Sequence, residues 1–360
     1  MCASAITITS DKINCPDSYI LIWLNGANCN SPSSQHEMQE ELQDTINCQK
    51  TFDDFDACRK FIRENNCEYV IIVSNETFAE KLVWMMKHEE KIRTIYIYYE
   101  DEKSKSELSA FQKNIVLIST DELVEKIKID QRRRQRYEDP ISFNCMTGNR
   151  FNDDGSSSMY SFMTIELLLD VILRTEQPNE MYELIRLCKI EYHNNEVEKR
   201  RIDLFQQTYT AETSIRWFTK DSFVYRLLNK ALRLQNIEIL LAFRFFIKDL
   251  HEQLAKLEKD RNISNMKVFR GQILPSTDLE RMKRSIGKLI SFHSFISASL
   301  IQDLAINFIV SEPPHPHLVN VLFEIECDQC SSLSLTPKPY ADVSELSEIP
   351  TEEEVLFSLG

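Results

Sequence analysis

Thr351-Glu352-Glu353-Glu354-Val355-Leu356-Phe357 places three adjacent carboxylates directly before an apolar run. Three acids in a row are ordinarily a solvated turn. The Val355-Leu356-Phe357 that follows reads instead as a short strand, on which side chains alternate between two faces. Carried back through the acids, that alternation sets Glu352 and Glu354 on one face and Glu353 on the other.

Two earlier pieces share this region. Met266-Lys267-Val268-Phe269 reads as a short strand with Arg270 at its end and Gly271 behind it. A guanidinium is a rigid fork of donors matched to phosphate oxygens, and a glycine lets backbone approach a ligand closely. From Gly287 to Ser299 a turn and a strand pair are expected, with Ile290 and Phe292 alternating with Ser291 and His293. In Phe295-Ile296-Ser297-Ala298-Ser299 the two serines share one side and Ala298 takes the other. Singly these signals are weak. Arg-Gly recurs by chance, strand serines are usually a solvent face, and His293 reads as structural.

Taken in order and spacing, the three pieces resemble the mono-ADP-ribosyltransferases of the arginine–serine–glutamate class, which includes the cholera-like toxins and the animal arginine-modifying transferases. The family pattern aromatic-x-Ser-Thr-Ser stands here with Ala298 in its middle place. The resemblance implies NAD as substrate, with NADP as the other candidate, and no metal. It assigns Arg270 to the pyrophosphate and to local scaffolding, with Gly271, Ser297 and Ser299 also on the cofactor side. Glu354, Glu352 and Ser297 become the catalytic set. Ser297 would bond the glutamate or the ribose, and Ser299 would support the geometry. Glu354 would face the ribose as nicotinamide leaves and positive charge builds on it, as in glycoside cleavage. Glu352 would grip an incoming arginine and help remove its proton, since a charged guanidinium is a poor nucleophile. An acid at 352 favours arginine on a protein as the acceptor. The alternatives are a catalytically silent NAD-binding or docking module and an NAD glycohydrolase.

The resemblance also implies an α+β domain over 161–360, with a helical lobe at 161–262 and a catalytic split β-sandwich at 263–360. In the family further strands follow the glutamate, so the sheet is expected to be incomplete at Gly360. The period from Phe162 to Lys259 is helical. Phe218-Thr219 and Asn229-Lys230-Ala231-Leu232-Arg233 stand where the family has Tyr-Thr and Asn-x-x-Leu-Arg. The aromatics in Phe243–Phe246 read as core. Asn320–Glu326 reads as a strand, and 331–351 as a long loop; the resemblance implies that this loop contacts the protein substrate, with Tyr340 expected at its tip.

The first 130 residues alternate strands and helices. Apolar runs at Tyr19–Leu24, Tyr69–Val73, Thr94–Tyr99 and Ile115–Ile118 are separated by helical stretches at 35–46, 55–64, 77–88 and 105–113, the second capped by Asp53 or Asp54. A further helix begins near Thr120. The pattern predicts a parallel five-stranded α/β sheet of flavodoxin or receiver type. Where receivers carry the phosphorylated Asp, this chain has Val73-Ser74-Asn75. The first strand ends in Asn25-Gly26 without an acidic pair, so a magnesium-dependent phosphotransfer is not expected. A degenerate docking or regulatory domain is the better reading.

Residues 131–160 read as a linker. The basic cluster Gln131–Arg136 is expected to be a solvated helix end, and the stretch Gly148–Ser158 is turn-rich. Net charge is −14 over 360 residues, which argues against nucleic acid or an anionic membrane as the main partner and favours cationic partners. The first residues lack a signal-peptide pattern and no apolar run reaches membrane-span length. With ten cysteines read as reduced thiols, a cytoplasmic protein is expected. The lone Cys327-x-x-Cys330 lacks the second ligand pair a zinc site needs.

Overall fold

A computed structural model describes residues 18–25, 32–43, 45–65, 68–99, 115–137, 143–145, 167–174, 180–193, 195–261, 266–288, 290–310, 317–327 and 338–359. The chain divides into two compact units, Met1–Val124 and Glu125–Gly360.

In the first unit, β1 (Tyr19–Leu24), β2 (Cys48–Phe52), β3 (Tyr69–Asn75), β4 (Ile92–Tyr99) and β5 (Ile115–Ser119) form one sheet in the order β2-β1-β3-β4-β5. Every neighbouring pair is parallel. This is one of the two common doubly wound orders. β1 is buried along its whole length, as a parallel strand covered on both faces must be. β2 was not legible. Its Cys48-Gln49-Lys50-Thr51-Phe52 buries only Cys48, and an edge strand needs no continuous apolar run. The helix Phe55–Glu64 falls where its amphipathic period placed it, and Asp54 is the cap, accepting from the Ala57 N–H at 2.7 Å. The helix expected at 35–46 lies at Pro32–Leu42, and that expected at 77–88 opens with a single turn, Glu76–Phe78, before Ala79–His88. The stretch 105–113 lies outside the described residues.

Helix Thr120–Tyr137 carries the basic cluster, and the expectation of a solvated end fails there. Gln131 is 1% exposed and Arg134 4%. Both continue, at three- and four-residue steps, the face that buries Leu123 and Ile127. Arg134 lies 3.8 Å from the Asp130 carboxylate. The reading of all cysteines as thiols also fails, because Cys48 is disulfide-bonded. Cys58, Cys188 and Cys327 are free and buried. Burial, with Asp54 nearby, pushes the Cys58 thiol up to about 12. Among the described residues no helix is long and apolar enough to cross a membrane.

The second unit joins a helical layer to an antiparallel sheet. The helices of that layer cover 167–174, Glu180–Glu191, Glu196–Thr208, Ser214–Thr219, Phe223–Leu234, Ile237–Ala242 and Arg244–Arg261, and two more, Ser276–Lys283 and Gln302–Val310, lie among the strands. Phe205, Phe223, Phe243 and Phe246 fill the core of the helical layer, so the aromatic run is packing. The strands are β6 (Phe143–Cys145), β7 (Met266–Pro275), β8 (Ile290–Phe292), β9 (Ile296–Ser299), β10 (Leu318–Cys327), β11 (Tyr340–Asp342) and β12 (Glu354–Phe357). Five of them form a sheet in the order β10-β7-β9-β12-β11, and β6 pairs with β8 in a two-stranded ribbon. One face of the five-stranded sheet gives Leu356 and Ala341 to the helical core. The other gathers Val268, Ala298, Cys327 and Val355, so Ala298 points away from the two serines that flank it.

Four expectations change here. β7 does not stop at Phe269: it runs ten residues, and Arg270 and Gly271 stand in its middle. A glycine reads as a breaker, but this one is a strand residue facing a packed helix. β8 pairs with β6, not β9. Residues 143–145, inside the stretch read as a linker, form β6; a three-residue strand amid turn-rich sequence leaves no periodic trace. Tyr340 is not at a loop tip. It lies in β11 opposite Phe357, with the two rings stacked 5.2 Å apart.

Candidate active site

Antiparallel pairing of β9 with β12 sets Glu354 opposite Ser299 and Leu356 opposite Ser297. The side chains cross this register diagonally. Ser297 Oγ donates to Glu354 Oε1 at 2.6 Å. Ser347 Oγ donates to the other oxygen, Oε2, at 2.8 Å. Glu354 is 7% exposed, and a buried carboxylate needs such donors.

Arg270 approaches the same serine from β7. Its Nη1 donates to the Ser297 carbonyl at 2.5 Å. Its Nε and Nη2 both donate to Gln272 Oε1, at 3.1 and 2.9 Å. Gln272 lies two residues further along the strand and is buried, so one face of β7 holds the guanidinium and its anchor. The structure thus brings Arg270, Ser297 and Glu354 together across three neighbouring strands.

Ser299 serves the backbone. Its hydroxyl donates to the Glu352 carbonyl at 2.8 Å and accepts from the Ile301 N–H at 3.0 Å. This ties the end of β9 to the turn that leads into β12. Gly271 also serves packing. A Cβ there would collide with the Ala305 carbonyl oxygen and press on Ile309 at 3.0 Å. The close approach that this glycine permits is to helix Gln302–Val310, and the space on its Cβ side is not open to a ligand.

Glu352 does not lie where alternation put it. Pro350–Glu352 form a 3-10 turn with the proline at its start, as a preset φ favours. Glu353 caps that turn at φ 43 and ψ 56, a left-handed conformation uncommon outside glycine. The strand begins only at Glu354, so the two-residue period stops one residue short of Glu353. Glu352 is half-buried, Glu353 exposed and Glu354 buried. The main-chain carbonyl of Glu352 is fixed by Ser299; its side chain is not placed beside Glu354 by strand geometry.

Three contributors were not named from sequence. Gln272 had a signal, since period-2 alternation places it on the Arg270 face. Ser347 had none: it sits in an irregular turn seven residues before Glu354. Glu348 fastens that turn to helix Ser214–Thr219. Its N–H donates to Thr219 Oγ1 at 3.0 Å, and its carboxylate accepts from Arg216 Nε at 3.0 Å. Phe218 on the same helix is buried and meets the Phe295 ring at 5.0 Å. Among the described residues no group of three or more His, Cys, Asp or Glu side chains could hold a metal.

No protein-family model and no curated protein matches the chain. A solved structure that it resembles is the crystal structure of the ADP-ribosyltransferase HopU1 of Pseudomonas syringae pv. tomato DC3000, at 19% identity, over 52% of this chain and 89% of that one, with a TM-score of 0.34. A likeness this slight carries no argument.

Proposed function

We propose that the chain transfers ADP-ribose from NAD to arginine side chains of proteins and releases nicotinamide. The observation that carries this reading is the buried Glu354 carboxylate held by Ser297, with Arg270 fixed against the Ser297 main chain. Those are the three residues that the motif resemblance selects.

In this reading NAD is a substrate, with NADP as the other candidate. Loss of nicotinamide leaves positive charge on the ribose. A carboxylate already oriented, and screened from water by its burial, stabilises that charge without reorganising. Both oxygens of Glu354 accept from serines, and each keeps lone-pair capacity for a ribose hydroxyl. Arg270 spends donors on Ser297 and Gln272, so its first task is to hold β7 and β9 in place, with pyrophosphate contact as its second. The arginine acceptor rests on the acid at position 352 and on the motif, not on strand alternation. A net charge of −14 suits a cationic protein substrate. Residues 161–360 would form the catalytic domain. The parallel sheet of the first unit would serve as a receiver-like docking module without phosphotransfer, because β1 ends in Leu24, β3 in Ser74-Asn75 and β5 in Ser119, none of them a magnesium ligand of the carboxylate kind.

The test is incubation with radiolabelled NAD and agmatine, comparing the chain with Glu354→Gln. Labelled agmatine from the first and not from the second supports the reading. Nicotinamide release without labelled agmatine would leave NAD hydrolysis in its place.

A further inference from the structure

We propose that Ser347 is a positioning residue for the reaction, fixing the plane of the Glu354 carboxylate; the inference rests on the reading of Glu354 as the group that faces the ribose. The terminal torsion of a glutamate is broad and roughly two-fold, so one hydrogen bond leaves the carboxylate plane loosely set. Donors on both oxygens set it. Ser297 supplies one from β9, and Ser347, itself 8% exposed, supplies the other from the turn between β11 and β12.

The direction of the Ser347 bond is set by its other partner. The Ile349 N–H donates to Ser347 Oγ at 3.3 Å, leaving the hydroxyl proton to point at Glu354. The turn is anchored as well. The Ser347 N–H donates to the Val343 carbonyl, and the Val343 N–H donates to the Glu354 carbonyl, both at 2.8 Å. The next residue, Glu348, is the one that Thr219 and Arg216 tie to the helical layer. The turn that carries the hydroxyl is therefore held on one side by the Glu354 main chain, through Val343, and on the other by the helix Ser214–Thr219, through Glu348. A serine that merely satisfied a buried carboxylate would contribute to folding alone. One that sets the carboxylate plane contributes to the rate once substrate is bound.

The experiment measures nicotinamide release from NAD, with kcat and KM resolved, and the melting temperature, for the full chain and for Ser347→Ala and Ser347→Thr. Loss of one hydrogen bond to a charged group is expected to lower kcat of Ser347→Ala about tenfold or more. KM for NAD should stay within about twofold, because the contact that a misaligned carboxylate weakens, the one to the positively charged ribose, belongs to the transition state. Ser347→Thr, which keeps the hydroxyl, should restore most of kcat. An alanine variant with wild-type kcat overturns the inference. So does a threonine variant as slow as the alanine one, or an alanine variant that is unfolded while wild type and threonine variant melt alike. A wild-type chain that releases no nicotinamide overturns the functional reading itself, and this inference with it; an active wild type with an equally active alanine variant overturns this inference alone.

Discussion

Ser297 and Glu354 are bonded at 2.6 Å although neither is the other's register partner. Ser297 lies across from Leu356, and Glu354 across from Ser299. The diagonal follows from the strand end. Glu354 is the first residue of β12, with the left-handed Glu353 behind it, so its side chain can lean along the sheet toward the serine two places on. Leu356, next on the same face, is buried in the helical core and prevents the strand from turning over. Apolar burial thus fixes which way the carboxylate points, and the serines fix how it is rotated.

Glu354→Gln keeps the size of the side chain and removes its charge. In the proposed reaction it is expected to lower nicotinamide release by roughly two to three orders of magnitude, the range seen when one preorganised electrostatic group is removed. The melting temperature should change little, because an amide oxygen still accepts from one serine. Release at near-wild-type rate in a folded Glu354→Gln protein would refute the assignment.

Glu352→Gln tests the division of roles. The Glu352 carbonyl, not its side chain, holds the Ser299 hydroxyl, so the substitution should leave the β9–β12 junction intact. Expected is NAD hydrolysis within about threefold of wild type with transfer to agmatine reduced at least tenfold, since only transfer needs a base at the guanidinium. Parallel measurement of free ADP-ribose and labelled agmatine gives the comparison. Equal loss of both activities would mean that Glu352 serves the NAD side of the site.

Strands with unbroken apolar runs were legible, and so was the parallel sheet in which they make four of the five strands. Tyr19–Leu24 and Tyr69–Val73 are buried on both faces, and their composition says so. β2 was not legible because an edge strand of Gln, Lys and Thr carries no hydrophobic signature. Arg270, Ser297 and Glu354, the residues that the motif picks out, meet in space. The Glu352 placement failed because alternation assumes a strand, and Pro350 with Glu353 at positive φ ends the strand first. Ser347 was hidden, since no local period links a turn residue to a strand residue seven places on. Gly271 was legible as a close approach but not as to what: only the folded chain shows that helix Gln302–Val310 comes against it.

Gly271→Ala follows from that contact. The added methyl would meet a backbone carbonyl, Ala305 O, which cannot swing aside as a side chain can. Overpacking of this kind costs about 1–3 kcal/mol. Urea unfolding of the second unit should show a lower midpoint with an unchanged slope, and activity should fall with it, because β7 carries Arg270. A variant as stable as wild type would show that the helix can withdraw from the strand without loss.

His251 provides a pH dependence with a definite sign. Its Nδ1 lies 2.9 Å from Ser358 Oγ, just past the end of β12. Burial, with Lys338 adding repulsion, holds its pKa below the usual 6.5. The neutral ring is therefore favoured in the folded chain, and the unfolded chain binds more protons as pH falls. The contribution of this residue to stability is complete above about 6.5 and is lost progressively as pH drops below that value and through the lower folded pKa. His251→Gln, which keeps a polar group near Ser358 but cannot titrate, should flatten this part of the profile. The measurement is the urea midpoint at several pH values between about 7.5 and 5, for wild type and variant. The wild-type midpoint should fall more steeply than that of His251→Gln across this range. Parallel profiles would mean that His251 takes up its proton as readily in the folded chain as in the unfolded one.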